Sequence, residues 1–194
     1  MPVMPDDTAT PGNGDTIETV RLRLVPLRPE DILGLIENPG EFESLFGSPA
    51  APGLREFFTS GDVSAEFLSS LRNLRGPSPW HLGFAVVDRE ASSVVGSGGF
   101  KGPPTEGVVE IAYGVVPSHQ GRGYATEVAR ALMSYALRES SVNLIIAHTL
   151  PANNASTKVL AKCGFFFDGE IDDPDDGLVW RWVFPVERKA ENVG

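Results

Sequence analysis

Residues Gly114-Val115-Val116-Pro117-Ser118-His119-Gln120-Gly121-Arg122-Gly123-Tyr124-Ala125-Thr126-Glu127 pass from an apolar, β-branched run through a glycine-rich turn into a segment of helical period. Upstream, Val108 to Val116 reads as a strand. Downstream, Ala125, Val128, Ala129, Leu132 and Ala136 share one helical face, with Glu127, Arg130 and Arg138 elsewhere, so the spacing predicts a helix from Tyr124 to Arg138. Glycines at 121 and 123 let the chain turn tightly and bring backbone N–H groups close to a ligand. The unpaired donors and positive dipole end of the following helix attract an anion, a phosphate for example. A plain turn explains the same two glycines equally well. Neither the Gly-x4-Gly-Lys-Ser/Thr loop nor the three-glycine dinucleotide fingerprint occurs at a strand–helix junction.

Working outward, Thr19 to Leu27 alternates apolar and basic residues as a half-buried strand does, and Arg28-Pro29-Glu30-Asp31 opens a helix through about Glu37. Asn38 to Gly61 is too rich in Pro and Gly to read. Val63, Phe67, Leu68 and Leu71 predict an amphipathic helix over 62–74. Trp80 to Val87 and Ser93 to Phe100 read as a hairpin, and Val108 to Val116 extends it into a meander. After the Tyr124 helix come a strand from Asn143 to Leu150, a helix from about Asn153 to Lys162 closed by Gly164, and two paired strands between Phe165 and Val186.

The chain has 194 residues, 41% of them hydrophobic, enough for one domain with a real core. No run reaches the roughly 18 apolar residues of a spanning helix, and Met1 to Asp7 has no signal-peptide pattern, so we expect a cytoplasmic protein without membrane association. One cysteine, Cys163, and three histidines, His81, His119 and His148, give no metal-ligand spacing, so no metal is expected. Sixteen Lys+Arg against 26 Asp+Glu give a net charge of −10. Asp6, Asp7 and Asp15 carry three of those charges, and Asp168, Glu170, Asp172, Asp173, Asp175 and Asp176 carry six. The rest is nearly neutral, which leaves room for an anionic ligand but no nucleic-acid stripe. Residues 1–16 read as a disordered tail and 17–190 as one domain.

Gln120-Gly121-Arg122-Gly123-Tyr124-Ala125 resembles the Q/R-x-x-G-x-G/A motif of the GNAT family of acetyl-CoA-dependent N-acyltransferases. Asn153-Asn154-Ala155-Ser156 with Val159 to Phe165 is similar to the N-x-x-S…V-L-x-K-x-G-F ending of the branch that acetylates ribosomal-protein N-termini, and Glu18 to Asp31 resembles the opening of that branch. The resemblance implies an α/β (in some schemes α+β) GNAT fold, a mixed and mostly antiparallel sheet of about seven strands with helices on both faces. It implies acetyl-CoA as co-substrate, its pyrophosphate held by backbone N–H groups from Gln120, Gly121, Arg122, Gly123, Tyr124 and Ala125, with Arg122 as a charge partner. Val115 and Val116 would pair with pantetheine where the strand splays, and Gly114 suits the irregularity that splaying needs. Asn153 would bond the pantetheine arm and Ser156 would sit near the sulfur; both residue types also cap helices.

Acetyl transfer to an amine needs a deprotonated nitrogen, a polarised carbonyl and a proton for a thiol of pKa ~8.5. The resemblance assigns the carbonyl to the N–H of Val115 or Val116, the sulfur's proton to Ser156 and the base to Glu110. An outward-facing strand carboxylate is the plainer account of Glu110, and the three histidines are weaker alternatives as base. The expected acceptor is a small amine or a protein N-terminus. Trp80, Phe100 and the acidic run Asp172 to Asp176 are candidate pocket walls, the acids steering cationic acceptors or forming only a solvated turn. A non-catalytic acyl-CoA binder, a transferase of a longer acyl group such as succinyl, and an interaction module stand as alternatives. A homodimer is expected from the resemblance.

Overall fold

The computed structural model describes residues 16–59, 64–174 and 177–187, so the expected tail lies, apart from Thr16, outside the described residues. An eight-stranded sheet is ordered β1-β2-β3-β4-β5-β6-β8-β7. Its strands are β1 (Ile17–Glu18), β2 (Leu22–Pro26), β3 (Phe84–Asp88), β4 (Ser93–Phe100), β5 (Val108–Val115), β6 (Leu144–Thr149), β7 (Phe166–Asp173) and β8 (Gly177–Pro185). All neighbours are antiparallel except β5 and β6. The eighth strand arises because the opening stretch is split: Thr19 folds back to bond Leu22, leaving two-residue β1 beside β2.

The helix α6 (Tyr124–Ala136) lies on one sheet face with Val128, Ala129, Leu132 and Ala136 fully buried. Burial on that scale contributes roughly 1.5–3 kcal/mol for each large aliphatic side chain. Its close approach depends on Gly98 in β4, where a Cβ would come within 2.8 Å of Val128 and 3.3 Å of Leu132. The opposite face carries α1 (Pro29–Glu37) and, in the stretch that defied sequence reading, the short helices α2 (Phe42–Phe46) and α3 (Glu56–Thr59), followed by α4 (Ala65–Asn73). Only Leu71 of α4 is buried and Phe67 is exposed, so its apolar spacing overstates what the core takes.

Three further expectations are corrected. Trp80 to Leu82 is not strand: Pro79 opens and Gly83 closes a helical turn, α5 (Pro79–Leu82), before β3 begins. The cap of α7 (Ala155–Lys162) is Asn154 rather than Asn153; its side chain accepts from the Thr157 N–H at 3.1 Å while the Thr157 hydroxyl sits 3.1 Å from the Asn154 N–H. Asp168, Glu170, Asp172 and Asp173 belong to β7 rather than to a loop; Asp175 and Asp176 lie outside the described residues. The alternation of Phe167 and Ile171 with acids suits a sheet edge, which is where β7 sits.

One feature of the sheet positions everything that follows. β5 and β6 are joined only at Val108–Leu144, Val109–Ile145 and Glu110–Ile146. Beyond these pairs β5 stays with β4 as far as Gly96–Val115, and β6 stays with β8 as far as Thr149–Trp180. The sheet therefore opens between Ile111–Val115 on one side and Ala147–Thr149 on the other, and the glycine-rich turn follows directly from the open end of β5.

Candidate active site

The turn leaves β5 through Val116 and a 3-10 turn, Pro117–His119, and enters α6 at Gly123, whose φ of 81° is the left-handed conformation that glycine adopts without strain. Hydrogen bonding alternates along an antiparallel pair. Because the Val116 N–H bonds the Val95 carbonyl at 2.9 Å, the N–H and C=O of Val115 face away from β4, into the opening. The Gln120 side-chain amide donates to the Val115 carbonyl at 2.9 Å, leaving the Val115 N–H as the donor presented there. Val116 is thus corrected: its N–H is taken and its side chain is fully buried.

A cavity of about 420 Å3 runs along this opening and the start of α6. Val115, Gln120, Gly121, Gly123, Tyr124, Ala125 and Ser156 line it, as the sequence led us to expect; Val116, Arg122 and Asn153 do not. Arg122 is exposed, its guanidinium donating to the Ser118 carbonyl at 3.2 Å, and its role is loop closure in this structure. Lys158 and Lys162 also line the cavity. They stand four residues apart on α7, so they share a face, and that spacing is the sequence signal that could have found them. Helix donors, the Val115 N–H and two ammonium groups make a setting suited to an extended, phosphate-bearing ligand.

The loop is braced from the other end of the chain. The Arg21 guanidinium donates to the Arg122 carbonyl at 2.7 Å, pairs with Glu127 at 2.7 Å and lies 4.7 Å from the centre of the Tyr124 ring. The Thr19 hydroxyl donates to Glu127 at 2.6 Å. Burial pushes the Glu127 carboxyl up, but the bonds from Thr19 and Arg21 outweigh it and hold the group below its ordinary value. The Tyr124 hydroxyl donates to the buried Asp88 at 2.7 Å, a bond that raises the phenol's pKa and fixes the ring away from chemistry.

Alternation along β5 puts Glu110, Ala112 and Gly114 on the face opposite α6, where a Cβ on Gly114 would meet the Phe57 ring of α3 at 3.1 Å. On that face a second cavity, of about 500 Å3, is lined by Phe57, Leu82, Phe100, Ala112, Tyr113 and Gly114 among others. It shares Phe57, Tyr113 and Gly114 with the first. Phe100 is among the lining residues as expected, and the Trp80 ring lies behind it at 4.4 Å; of the described residues of β7, none lines either cavity. Glu110 is mostly buried rather than outward-facing: its Oε1 lies 3.2 Å from Lys101 Nζ and 3.1 Å from His148 Nδ1. Among the described residues there is no cluster of three or more potential metal ligands.

The sheet opens beside a helix start, and a second cavity lies across the same strand, so there is room for two ligands. The acetyltransferase (GNAT) domain family matches residues 21–166, and the chain belongs to that family. Its curated relatives include the uncharacterized N-acetyltransferase YjdG of Bacillus subtilis, 32% identical over 114 residues that make up 58% of this chain and 66% of that protein. The chain spans about half to two thirds of the length of curated relatives that it matches. Among solved structures, a GNAT-family acetyltransferase from Bacillus anthracis superposes with a TM-score of 0.60 at 20% identity, covering 88% of this chain and 98% of that one. RimL, a ribosomal L7/L12 α-N-protein acetyltransferase solved with coenzyme A, gives 0.60 at 14% identity, covering 89% and 98%. The fold is the GNAT fold, with eight strands where about seven were expected.

Proposed function

We propose that the protein is an acetyl-CoA-dependent N-acetyltransferase that moves the acetyl group to a primary amine by direct attack on the thioester. The single observation that carries this reading is the opening between β5 and β6: it turns the Val115 N–H into a cavity that ends at the helix start and at Lys158 and Lys162. The pyrophosphate would rest against the N–H groups from Gln120 to Ala125, and the pantetheine arm would pair with Val115. In that pose the Val115 N–H polarises the carbonyl, and the Ser156 hydroxyl, in the same cavity, supplies a proton to the departing sulfur. Glu110, with Lys101 and His148 against its Oε1, lies on the same face of β5 as the second cavity.

The second cavity is the acceptor's place in this reading. With Phe57, Leu82 and Phe100 among its lining residues, beside His81, Ser97 and four glycines, it suits an amine that carries an apolar group, such as a protein N-terminus or a small amine with a hydrophobic side chain. A cytoplasmic setting, where acetyl-CoA is available, fits the proposal. Among the described residues no helix is long and apolar enough to cross a membrane.

The test is thiol release from acetyl-CoA and succinyl-CoA against a panel of amines and short peptides with free N-termini, beside calorimetric coenzyme A binding. Release that depends on an acceptor and falls ~10²-fold or more in Ser156→Ala with coenzyme A still bound supports transfer. Tight coenzyme A binding without release for any acceptor would make the protein a binder. Failure to bind coenzyme A would remove both.

A further inference from the structure

Phe57 of α3 lines both cavities, together with Tyr113 and Gly114 of β5. Gly114 immediately precedes Val115, whose N–H is the donor turned into the opening. Alternation directs the side-chain position of Gly114 to the face opposite α6. The Phe57 ring stands there, with three of its carbons 3.1 to 3.6 Å from where a Cβ on Gly114 would lie. The ring therefore fills, from a distant segment, the space that a side chain at 114 would take. Tyr113 belongs to the other face: its Cβ is 3.5 Å from the place of a Cβ on Gly98, beside Val128 and Leu132 of α6.

The ring is held in place although 38% of the residue is exposed. Three residues ahead of it Leu54 is 1% exposed, and the Leu54 carbonyl accepts the Phe57 N–H at 3.1 Å. Arg55 donates from its guanidinium to the Leu35 carbonyl at 3.1 Å and to the Ile36 carbonyl at 2.9 Å, which ties the segment to the last turn of α1. The Ala51 N–H bonds the Val94 carbonyl at 2.8 Å and joins the same segment to β4. With its backbone pinned to a helix and to the sheet, Phe57 is a fixed wall.

In the transferase reading above, the acyl carbon has to be open to the thioester sulfur in one cavity and to the acceptor nitrogen in the other. It therefore lies where the two cavities meet, and the substituent it carries faces the residues they share. Gly114 offers only backbone there and Tyr113 turns to α6, so the Phe57 ring decides how much room remains on the acceptor's side. Resting on that reading, we propose that Phe57 is the gauge of acyl-chain length. Its ring over Gly114 admits the methyl of an acetyl group and rejects longer acyl groups such as butyryl. The same ring keeps the acyl chain out of the second cavity, so that donor and acceptor do not compete for one space.

Calorimetric titration with coenzyme A, acetyl-CoA and butyryl-CoA tests the gauge whether or not an acceptor is known. The wild type should bind acetyl-CoA about tenfold or more tightly than butyryl-CoA, the discrimination that an extra methylene meets in a closed apolar pocket. Phe57→Ala should bring the two within about threefold, by improving butyryl-CoA binding relative to free coenzyme A. Phe57→Leu, which carries the test should the first variant not fold, should fall between. Thiol release with a responsive acceptor should follow the same order. Equal binding of the two acyl donors by the wild type, a preference that survives in the folded variants, or an equal loss for all three ligands would overturn the gauge and leave the transferase reading standing. Failure of the wild type to bind coenzyme A at all would remove that reading, and the gauge with it.

Discussion

The two cavities on either side of β5 are made of different material. The one at the helix start joins a Val115 N–H turned outward by strand alternation, and a turn whose glycines stand close to one another in sequence, to two lysines of α7. The one across the strand gathers residues from separate segments, Phe57, Leu82, Phe100 and Ala112, with Gly83, Gly98, Gly99 and Gly114 between them and no lysine or arginine. A ligand common to many proteins can be held by groups that every residue carries. A ligand particular to one protein needs side chains, and those are supplied by segments free to differ. Under the proposed function, the donor is held around one short turn and the acceptor by segments distant in sequence.

Gly123→Val should sharpen this contrast most. It forces a β-branched residue into a left-handed conformation, a strain of about 1–3 kcal/mol, and sets a Cβ 3.4 Å from the Arg21 guanidinium. Coenzyme A affinity should fall tenfold or more by calorimetry, while thermal melting still shows a folded protein. Ala112→Leu, which fills only the acceptor cavity, should raise acceptor KM roughly tenfold and leave coenzyme A affinity alone. Equal losses for both ligands would break the division between the cavities. Arg21→Ala should weaken coenzyme A binding about fivefold, since an exposed ion pair and a cation–π contact together amount to about 1 kcal/mol.

The smallest effect is on acid stability. Glu127 is held below its ordinary value of 4.5, so its contribution is fully present above that pH and is lost as pH falls through its folded value. Thr19→Val should remove part of it, visible as a melting temperature that differs from wild type above pH 5 and converges with it in stronger acid.

The same contrast explains what could be read in the sequence. The glycine-rich turn was legible because a short-range pattern, strand then Gly-x-Gly then helical period, specifies it, and Gln120, Gly121, Gly123, Tyr124 and Ala125 meet at one cavity with Val115 and Ser156. Val116 was misplaced because strand alternation hands every second N–H to the neighbour, a parity that depends on register rather than residue type. Asn153 and Asn154 are chemically identical caps, and only the partner of Thr157 separates them. Phe57 and Tyr113 were missed because strand pairing and helix packing, not spacing, bring positions 57 and 113 to the same cavities. The Arg21 brace joins residues 101 positions apart, and no local pattern announces it.

The acidic run also finds its account in the fold. β7 is the outermost strand of the sheet, and it shows Phe166 and Phe167 half exposed beside a row of unpaired backbone groups. An edge of that kind invites another chain to anneal to it. Asp168, Glu170, Asp172 and Asp173 put four like charges within its eight residues, so two copies laid edge to edge would crowd carboxylates together along the whole seam. Like charges so placed disfavour the annealing of a second copy along the described edge of the sheet.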